Sequence, residues 1–293
     1  MSRNTPDEDG PPPMEYIDTR REAIEERLEA TVSAIEPDGL AEPMEHALLS
    51  GGKRVRPTLT VLTCEAVGGS VDDAMEYAVG IELVHSASLV VDDIIDRAPV
   101  RRGVDSTWAA HDHGGALVGS DGLLGEALAR FSRDPQALLL ITDALVELGE
   151  GEATELVDHP VTREQYIDLA RRKTGVLFKA AAEVGVIAGD GDQNARDGLG
   201  TYAERVGIAF QIRDDVLDVV ADVDTLGKQG GRDADMERPS LLDVSDMTPD
   251  EADTFAKEQA DVALEALDGV PIVEDDIREY LEELAHFVVM RER

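Results

Sequence analysis

Residues 72–96 read DDAMEYAVGIELVHSASLVVDDIID, and this stretch decides the class of fold. Apolar residues continue through it to an acidic end, where Asp92, Asp93 and Asp96 follow the apolar run 87–91. The stretch is far longer than an ordinary strand of about 5–6 residues, and it lacks the alternation of a half-buried strand. It therefore predicts a long apolar helix that ends in carboxylates.

Helical periodicity continues through most of the chain and predicts an all-α fold. We expect a single-domain bundle of roughly ten or more helices around a central cavity, over residues 14–293. Residues 1–13 predict a disordered acidic, proline-rich tail, and residues 222–239, with three glycines and many charges, predict a mobile loop. The predicted helices cover residues 15–35, 57–67, 72–95, 115–130, 135–156, 163–169, 174–188, 194–220, 249–267 and 274–291.

The charge balance limits the partners of this protein. Its 63 acidic and 27 basic residues give a formal net charge of −36, which disfavours binding to nucleic acid. Such a charge also repels itself unless salt screens it, so the composition is typical of a protein from a halophile. Only five lysines occur, and each surviving lysine is therefore more informative than usual.

The same composition indicates a cytoplasmic protein. A single cysteine, Cys64, rules out an internal disulfide, and its apolar surroundings favour a buried core residue. No apolar run approaches the roughly 18–20 residues that span a bilayer, so we expect no transmembrane segment. The first residues have no apolar segment of the kind found in a secretory signal.

Two aspartate triads are the main candidates for chemistry. Asp92, Asp93 and Asp96 lie within one helical turn, and the segment Asp214–Asp218 repeats the D-D-x-x-D spacing. Carboxylates this close repel each other unless cations or water lie among them, and Mg²⁺ prefers such oxygen ligands together with phosphate oxygens. One match would mean little in so acidic a chain. Both triads follow apolar runs, however, which places them at the mouth of a buried cavity.

Cationic residues provide the complementary half of a site. In the motif GGKRVRP, at residues 51–57, two glycines allow close approach of a ligand, and Lys53 and Arg56 flank a helix start. Taken alone, this motif fits an ordinary turn equally well. A lone helical histidine such as His85 is more often structural. Further cations follow at Arg101, Arg102, Lys173 and Lys228.

Six motifs in order resemble those of the trans-type isoprenyl diphosphate synthases, also called polyprenyl synthetases. They are GGKRVRP, HSASLVVDDIID, RRG, KT, FQIRDDVLD and GKQGGRD, over about residues 40–245. Three of the five lysines, Lys53, Lys173 and Lys228, fall within these motifs. The resemblance implies an isoprenoid synthase-type helical fold and an enzyme that condenses isopentenyl diphosphate with an allylic diphosphate. It further implies a homodimer that uses Mg²⁺, about three ions per active site, with Mn²⁺ as a substitute.

The resemblance also assigns roles to individual residues. The family's metal-binding positions match Asp92, Asp93, Asp96, Asp214, Asp215 and Asp218. Its allylic diphosphate contacts match Arg101, Lys173, Thr174, Gln211 and Lys228, with Lys173 and Lys228 also counted as catalytic. Its isopentenyl diphosphate contacts match Lys53, Arg56, His85 and Arg102. Departures from the family occur at Val91 and Trp108, each where histidine is common, and at Arg238, which replaces a second loop lysine but keeps its charge.

Product length depends on the residues just before the first triad. Ser88 and Ala87 are small, whereas bulky aromatic residues at these positions would stop chain growth early. We therefore expect geranylgeranyl diphosphate or a longer product.

Three other functions remain to be weighed against this one. A head-to-head condensing enzyme or a terpene cyclase uses similar aspartate-rich helices but lacks the GGKRVRP motif. A non-catalytic regulatory subunit typically loses one aspartate motif, and both are present here. An acidic helical bundle with incidental triads is the last alternative.

Overall fold

The computed structural model describes residues 14–226 and 240–290, with side chains from Tyr16 onward and none for 218–226. The predicted tail 1–13, most of the predicted loop, Lys228 and Arg238 lie outside the described residues. The backbone of Asp218 is described, but its side chain is not. A single domain over residues 14–293 stays a prediction.

The described chain is almost entirely helical, which confirms the predicted all-α class. Helices joined by short connecting segments run through the described ranges, and a single two-stranded hairpin is the only sheet there. The α-helices are α1 (Met14–Val32), α2 (Asp38–Leu49), α3 (Val55–Ala66), α4 (Val71–Ile95), α5 (Thr107–Phe131), α6 (Pro135–Ala153), α7 (Arg163–Ala170), α8 (Val176–Ala188), α9 (Gln193–Leu226), α10 (Pro249–Leu267) and α11 (Asp275–Met290). Strands β1 (Val100–Arg101) and β2 (Val104–Asp105) pair antiparallel, and π-helical turns occupy Thr154–Asp158 and Arg171–Gly175.

Helix α4 is a central element of the core. It begins at a capping box in which Ser70 and Asp73 satisfy each other's backbone donors. It packs against α3, α5 and α8, while α9 packs against α8 and α10. The buried face of α4 carries small and branched residues, and this permits close contact with its neighbours. The helix delivers the first aspartate triad at its C-terminal end.

Two glycines bring helices together where a side chain would not fit. A Cβ at Gly185 in α8 would lie 2.1 Å from Thr63 Oγ1 of α3. A Cβ at Gly207 in α9 would lie 2.8 Å from the Cα of Gly175, at the end of the second π-helical turn. The second close approach places α9, which carries the second triad, directly beside the Lys173–Thr174 segment.

Several boundaries differ from those predicted. The range of α5 joins two helices across Asp112, whose backbone is not helical (φ 60°, ψ 176°). Asp112 accepts a hydrogen bond from Gly115 N at 3.0 Å, so the second part begins close to the predicted residue 115, and the turn from Thr107 was not predicted. Helix α2 was not predicted and contains Pro43. Helix α9 extends to Leu226, five residues into the predicted loop. The hairpin was missed because its two-residue strands are too short to show alternation.

No helix in the described ranges is both long enough and apolar enough to cross a membrane.

Candidate active site

The glycine pair before α3 adopts a backbone that side chains disfavour. Gly51 and Gly52 have φ values of 88° and 142°. A Cβ at Gly52 would lie 2.7 Å from Nη1 of Arg102, and the same guanidinium donates a hydrogen bond to the carbonyl of Gly51. At this loop the close approach is made by Arg102, in the turn of the β1–β2 hairpin, and close approach of a ligand stays a prediction.

Arg56 and His85 form the second part of this basic cluster. Arg56 Nη1 donates to His85 Nε2 at 3.1 Å, and the guanidinium carbon lies 4.5 Å from the centre of the Phe178 ring. Burial, followed by the positive charges of Arg56 and Arg102, lowers the pKa of His85 well below its usual range. The imidazole is therefore neutral at physiological pH and accepts the hydrogen bond. The Nε–H of Arg56 is buried without a hydrogen-bond partner among the described residues, as expected at an anion site.

The cluster around Gly51 brings together the residues predicted for one diphosphate. Arg56, His85 and Arg102 are neighbours, and Lys53 lies exposed on the same loop. The Nζ atom of Lys53 is 5.3 Å from the centre of the Phe287 ring, which belongs to α11. The C-terminal helix therefore borders this end of the site.

The hairpin after α4 holds Arg101 against the first triad. Arg101 donates from Nε (2.9 Å) and Nη2 (2.5 Å) to Oδ1 of Asp93, a carboxylate with 3% of its surface exposed. Trp108 Nε1 donates to the carbonyl of Ala98 at 2.9 Å and so fixes the segment that leads into the hairpin. This contact gives a structural role to the tryptophan that departs from the family pattern.

A π-helical turn carries the second cationic segment. Lys173 Nζ pairs with Glu155 and, at 3.2 Å, with Oε2 of Glu152. Thr174 Oγ1 donates to Gln211 Oε1 at 2.7 Å. Because π-helical turns insert one extra residue, the turn shifts Lys173 and Thr174 relative to a regular helix, and such turns are common at functional sites.

Asp215 joins this segment to the second triad. Its carboxylate accepts hydrogen bonds from Gln211 Nε2 (3.0 Å), Tyr166 Oη (2.5 Å) and the backbone N–H of Leu241 (3.2 Å). Asp214 lies half-buried beside it in α9. Thr174, Gln211 and Asp215 thus form one continuous hydrogen-bonded chain.

The aspartates of the two triads fit a cation that is shared with a bound ligand. Asp92 and Asp96 are half-buried and lie one turn apart, since Asp96 N donates to Asp92 O at 2.8 Å. Asp93 and Asp215 already accept hydrogen bonds from protein donors. Within the described ranges, no three acidic, histidine or cysteine side chains form a ready metal site. Mg²⁺ commonly takes only one or two carboxylates and completes its shell with phosphate oxygens and water, so the donor set fits this ion.

Sequence reasoning missed several residues that shape the site. Glu152 and Glu155 flank Lys173, and Tyr166 binds Asp215. Arg54 and Glu82 form a buried ion pair behind the glycine loop. Of these, only Glu82 carries a readable signal, because a lone acid within the apolar run 78–84 indicates a buried charge with a partner. The others depend on contacts between distant segments.

Comparisons with known proteins agree with this geometry. The family model described as polyprenyl synthetase matches residues 37–282. The chain is 36% identical to the short chain isoprenyl diphosphate synthase of Methanothermobacter thermautotrophicus over 243 residues, which cover 79% of this chain and 75% of that protein. It is 31% identical to the geranylgeranyl diphosphate synthase of Methanosarcina mazei over 230 residues, 75% and 71% of the two chains.

A solved structure extends the agreement to the fold. The crystal structure of geranylgeranyl pyrophosphate synthetase from Pyrococcus horikoshii superposes with a TM-score of 0.84 at 33% identity, covering 94% of this chain and 98% of that chain. The ordered motifs, the arrangement of the site and these likenesses lead to one conclusion. This chain belongs to the polyprenyl synthetase family and is a prenyltransferase.

Proposed function

We propose that this enzyme condenses isopentenyl diphosphate with an allylic diphosphate, head to tail, to make geranylgeranyl diphosphate or a longer chain. The observation that carries the proposal is the basic cluster of Arg56, His85 and Arg102 beside the aspartate-bearing helix α4. A second diphosphate site of this kind is needed for isopentenyl diphosphate. Terpene cyclases and head-to-head condensing enzymes have no such requirement.

In this proposal the basic cluster holds isopentenyl diphosphate. Lys53 and Arg102 approach from the glycine loop and the hairpin, and Arg56 presents its unpartnered Nε–H. Guanidinium groups suit this task because they offer several donors in a fixed plane. Neutral His85 holds the guanidinium of Arg56 in place and offers an Nδ1–H of its own.

The aspartate helices would hold the allylic diphosphate. The metal ligands would be Asp92, Asp93, Asp96, Asp214 and Asp215. Asp93 also binds Arg101, and Asp215 also binds Gln211 and Tyr166. We extend the proposal to Asp218, Lys228 and Arg238, whose side chains lie outside the described residues. Mg²⁺, when bound, would neutralise the diphosphate oxygens and so favour departure of the leaving group. The number of ions, about three, and the use of Mn²⁺ stay predictions.

The reaction then follows from charge and exclusion of water. Arg101, Lys173 and Lys228 would stabilise the charge that develops on the diphosphate as the allylic C–O bond breaks. The double bond of isopentenyl diphosphate attacks the resulting allylic cation to form a C–C bond, and a proton leaves to the released diphosphate. No protein nucleophile is required. Apolar walls along α4 and α8 keep out water that would quench the cation.

A pair of lysine variants tests the assignment of the two substrates. Lys53→Gln should raise KM for isopentenyl diphosphate with little change for the allylic substrate, and Lys173→Gln should do the reverse. Lys179→Gln is the matched control, because Lys179 is 43% exposed and lies 3.9 Å from Glu204 outside the proposed site. Equal effects of Lys53→Gln and Lys173→Gln on both substrates would contradict the assignment.

Product length is tested at the small residues before the first triad. Ala87 is 1% exposed, and Ser88 is half-buried on the same helix. If the growing chain passes along this face, Ser88→Phe and Ala87→Phe should shorten the product. An unchanged product from folded variants would show that the chain grows in another direction.

We propose that two copies associate through α5 and α6. These helices expose four large apolar side chains, each between 48% and 63%: Leu117, Val118, Leu139 and Val146. Exposed apolar side chains that form a patch favour a protein contact. Light scattering should show a dimer for the wild type and a monomer for Leu139→Arg.

We further propose that the enzyme works in a salt-loaded cytoplasm, since its charge of −36 requires screening.

A further inference from the structure

Arg54 lies inside the basic motif but is buried against neighbouring helices. It follows Lys53 and precedes the half-buried Arg56, yet only 2% of its own surface is exposed. Its backbone is left-handed (φ 50°), a conformation that a side chain other than glycine adopts only at some cost. A buried cation with a strained backbone requires strong partners.

The partners of Arg54 come from three different helices. Its Nε and Nη2 donate to the two carboxylate oxygens of Glu25 in α1, at 2.7 and 3.1 Å. Its Nη1 donates to Glu82 Oε1 of α4 at 2.6 Å, and Nη2 also donates to the carbonyl of Leu48 in α2 at 2.8 Å. One guanidinium therefore fastens the glycine loop to α1, α2 and α4 together.

Glu82 supplies a fixed negative charge behind the basic cluster. It is 2% exposed and lies on α4, three residues before His85. Burial lowers the pKa of Arg56 to about 10, and the negative charge of Glu82 opposes that decrease. The same carboxylate opposes the lowering of the pKa of Arg102, where burial is again the main cause. Glu82 thus stabilises the clustered cations while no ligand is present.

The geometry links this buried pair to the substrate-facing pair. Arg54 and Arg56 are separated by one residue at the start of α3, and Glu82 and His85 are separated by one helical turn on α4. The bond between Arg54 and Glu82 therefore fixes the position of the loop along α4, and with it the point at which Arg56 contacts His85. A shift of the loop along α4 would break both contacts at once.

We propose that Arg54, held by Glu25 and Glu82, is a positioning residue that preforms the binding site for the diphosphate of isopentenyl diphosphate. It does not touch the substrate. It acts through Lys53 and Arg56. It determines the position of Lys53 in the loop and of Arg56 at the start of α3. The inference rests on the proposed function, because it assigns a structural cause to the affinity of that site.

Arg54→Lys is the direct test, since it keeps the charge but cannot reproduce the planar, multiply bonded geometry. KM for isopentenyl diphosphate should rise about tenfold or more, as expected for groups misplaced by a fraction of an ångström, while KM for the allylic diphosphate changes little. Glu25→Gln, on a side chain that is 35% exposed, should give a smaller rise in the same constant. If Arg54→Lys does not fold, KM for isopentenyl diphosphate in Glu25→Gln still tests the proposal.

Arg130→Lys is the matched control. Arg130 is also largely buried and pairs with Glu126 at 2.7 Å and with Thr31 at 3.0 Å, but it lies at the opposite end of α5 from the hairpin. Its substitution should lower the melting temperature without changing either KM. Calorimetry should show the same order of affinities for isopentenyl diphosphate as the kinetics.

The outcomes separate this inference from the function on which it rests. If the wild type turns over both substrates but folded Arg54→Lys and Glu25→Gln keep the wild-type KM for isopentenyl diphosphate, the positioning role is wrong and the function stands. If both KM values rise equally in these variants, the pair stabilises the fold in general and the inference is again wrong. A wild type that neither binds nor incorporates isopentenyl diphosphate would overturn the proposed function itself.

Discussion

At the scale of single residues, the site depends on glycines that leave room for other groups as well as on the charged side chains themselves. Gly51 and Gly52 both have positive φ, but only at Gly52 would an added Cβ collide with the guanidinium of Arg102. A substitution at Gly51 meets no atom within 4 Å. The two positions therefore separate backbone strain from displacement of a binding residue.

Alanine at these positions should give different results. Gly51→Ala should destabilise the fold by about 1 kcal/mol through strain, with a modest kinetic effect. Gly52→Ala should add the displacement of Arg102 and raise KM for isopentenyl diphosphate by about tenfold. Urea unfolding and steady-state kinetics measure the two effects. Equal KM values in the two variants would contradict the role of Arg102 in binding.

His85 predicts a specific dependence of stability on pH. Its pKa is well below normal when folded, so the unfolded state binds more protons as the pH falls through about 6.5, and stability decreases with it. His85→Gln removes this contribution. Between about pH 7.5 and 5.5 the variant should lose less unfolding free energy than the wild type in urea titrations at constant high salt. An identical loss would mean that the pKa of His85 is not lowered in the folded protein.

Residues recognised from the sequence are those whose chemistry lies in a local motif. Lys53, Arg56, His85 and Thr174 could be assigned because each occupies a motif position to which the family resemblance gives a role, although the partners of His85 and Thr174 lie 29 and 37 residues away. Arg54 and Tyr166 could not, because the resemblance gives them no role and their partners lie 28 and 49 residues away in the chain. Nothing in the local pattern distinguishes such long-range hydrogen bonds from exposed polar side chains.

At the scale of elements, short irregular segments place the proposed catalytic groups. The second π-helical turn sets Lys173 and Thr174 beside α9, and the β1–β2 hairpin carries Arg101 and Arg102 to opposite ends of the site. Sequence patterns predicted the long helices on either side but not these segments. A hairpin of two-residue strands and a single extra residue in a helix leave no periodic signal.

Tyr166→Phe tests the link between α7, α9 and the segment after Ser240. Loss of the hydrogen bond to Asp215 should lower the unfolding free energy by about 1–3 kcal/mol. It should also raise the Mg²⁺ concentration needed for half-maximal activity, because Asp215 belongs to the proposed metal-binding triad of α9. Mg²⁺ titrations of activity measure this directly.

Tyr202→Phe provides the control for that experiment. Tyr202 is fully buried in the same helix α9, about three turns before the triad. It donates a hydrogen bond to the carbonyl of Leu281 at 2.6 Å and does not contact Asp215. It should lose similar stability and keep the wild-type Mg²⁺ requirement. If both variants shift the requirement alike, the effect reflects general loosening of α9 and not the contact with Asp215.

At the scale of the whole molecule, helix packing stabilises the fold, whereas repulsion among the acidic side chains destabilises it. The all-α class and most of the helices followed from the periodicity of apolar residues, because burial of one face is a property of each helix by itself. The order in which helices pack did not follow, since it depends on small residues such as Gly185 and Gly207 that allow close approach. These glycines read as ordinary helix residues in the sequence.

The net charge predicts that salt stabilises the fold. The Debye length falls from about 10 Å at 0.1 M salt to about 3 Å at 1 M, so repulsion among the acidic side chains weakens most over that range. The melting temperature should therefore rise with KCl and rise most steeply below about 1 M. A melting temperature that is flat or falls over this range would contradict the assignment to a salt-loaded cytoplasm.

The central claim is that two diphosphates bind side by side and that their prenyl groups are joined. Chromatography of the products from purified protein, Mg²⁺, high KCl, labelled isopentenyl diphosphate and farnesyl diphosphate tests it most directly. The account predicts label in geranylgeranyl diphosphate or a longer chain. Release of diphosphate from farnesyl diphosphate with no label in any prenyl product would contradict it.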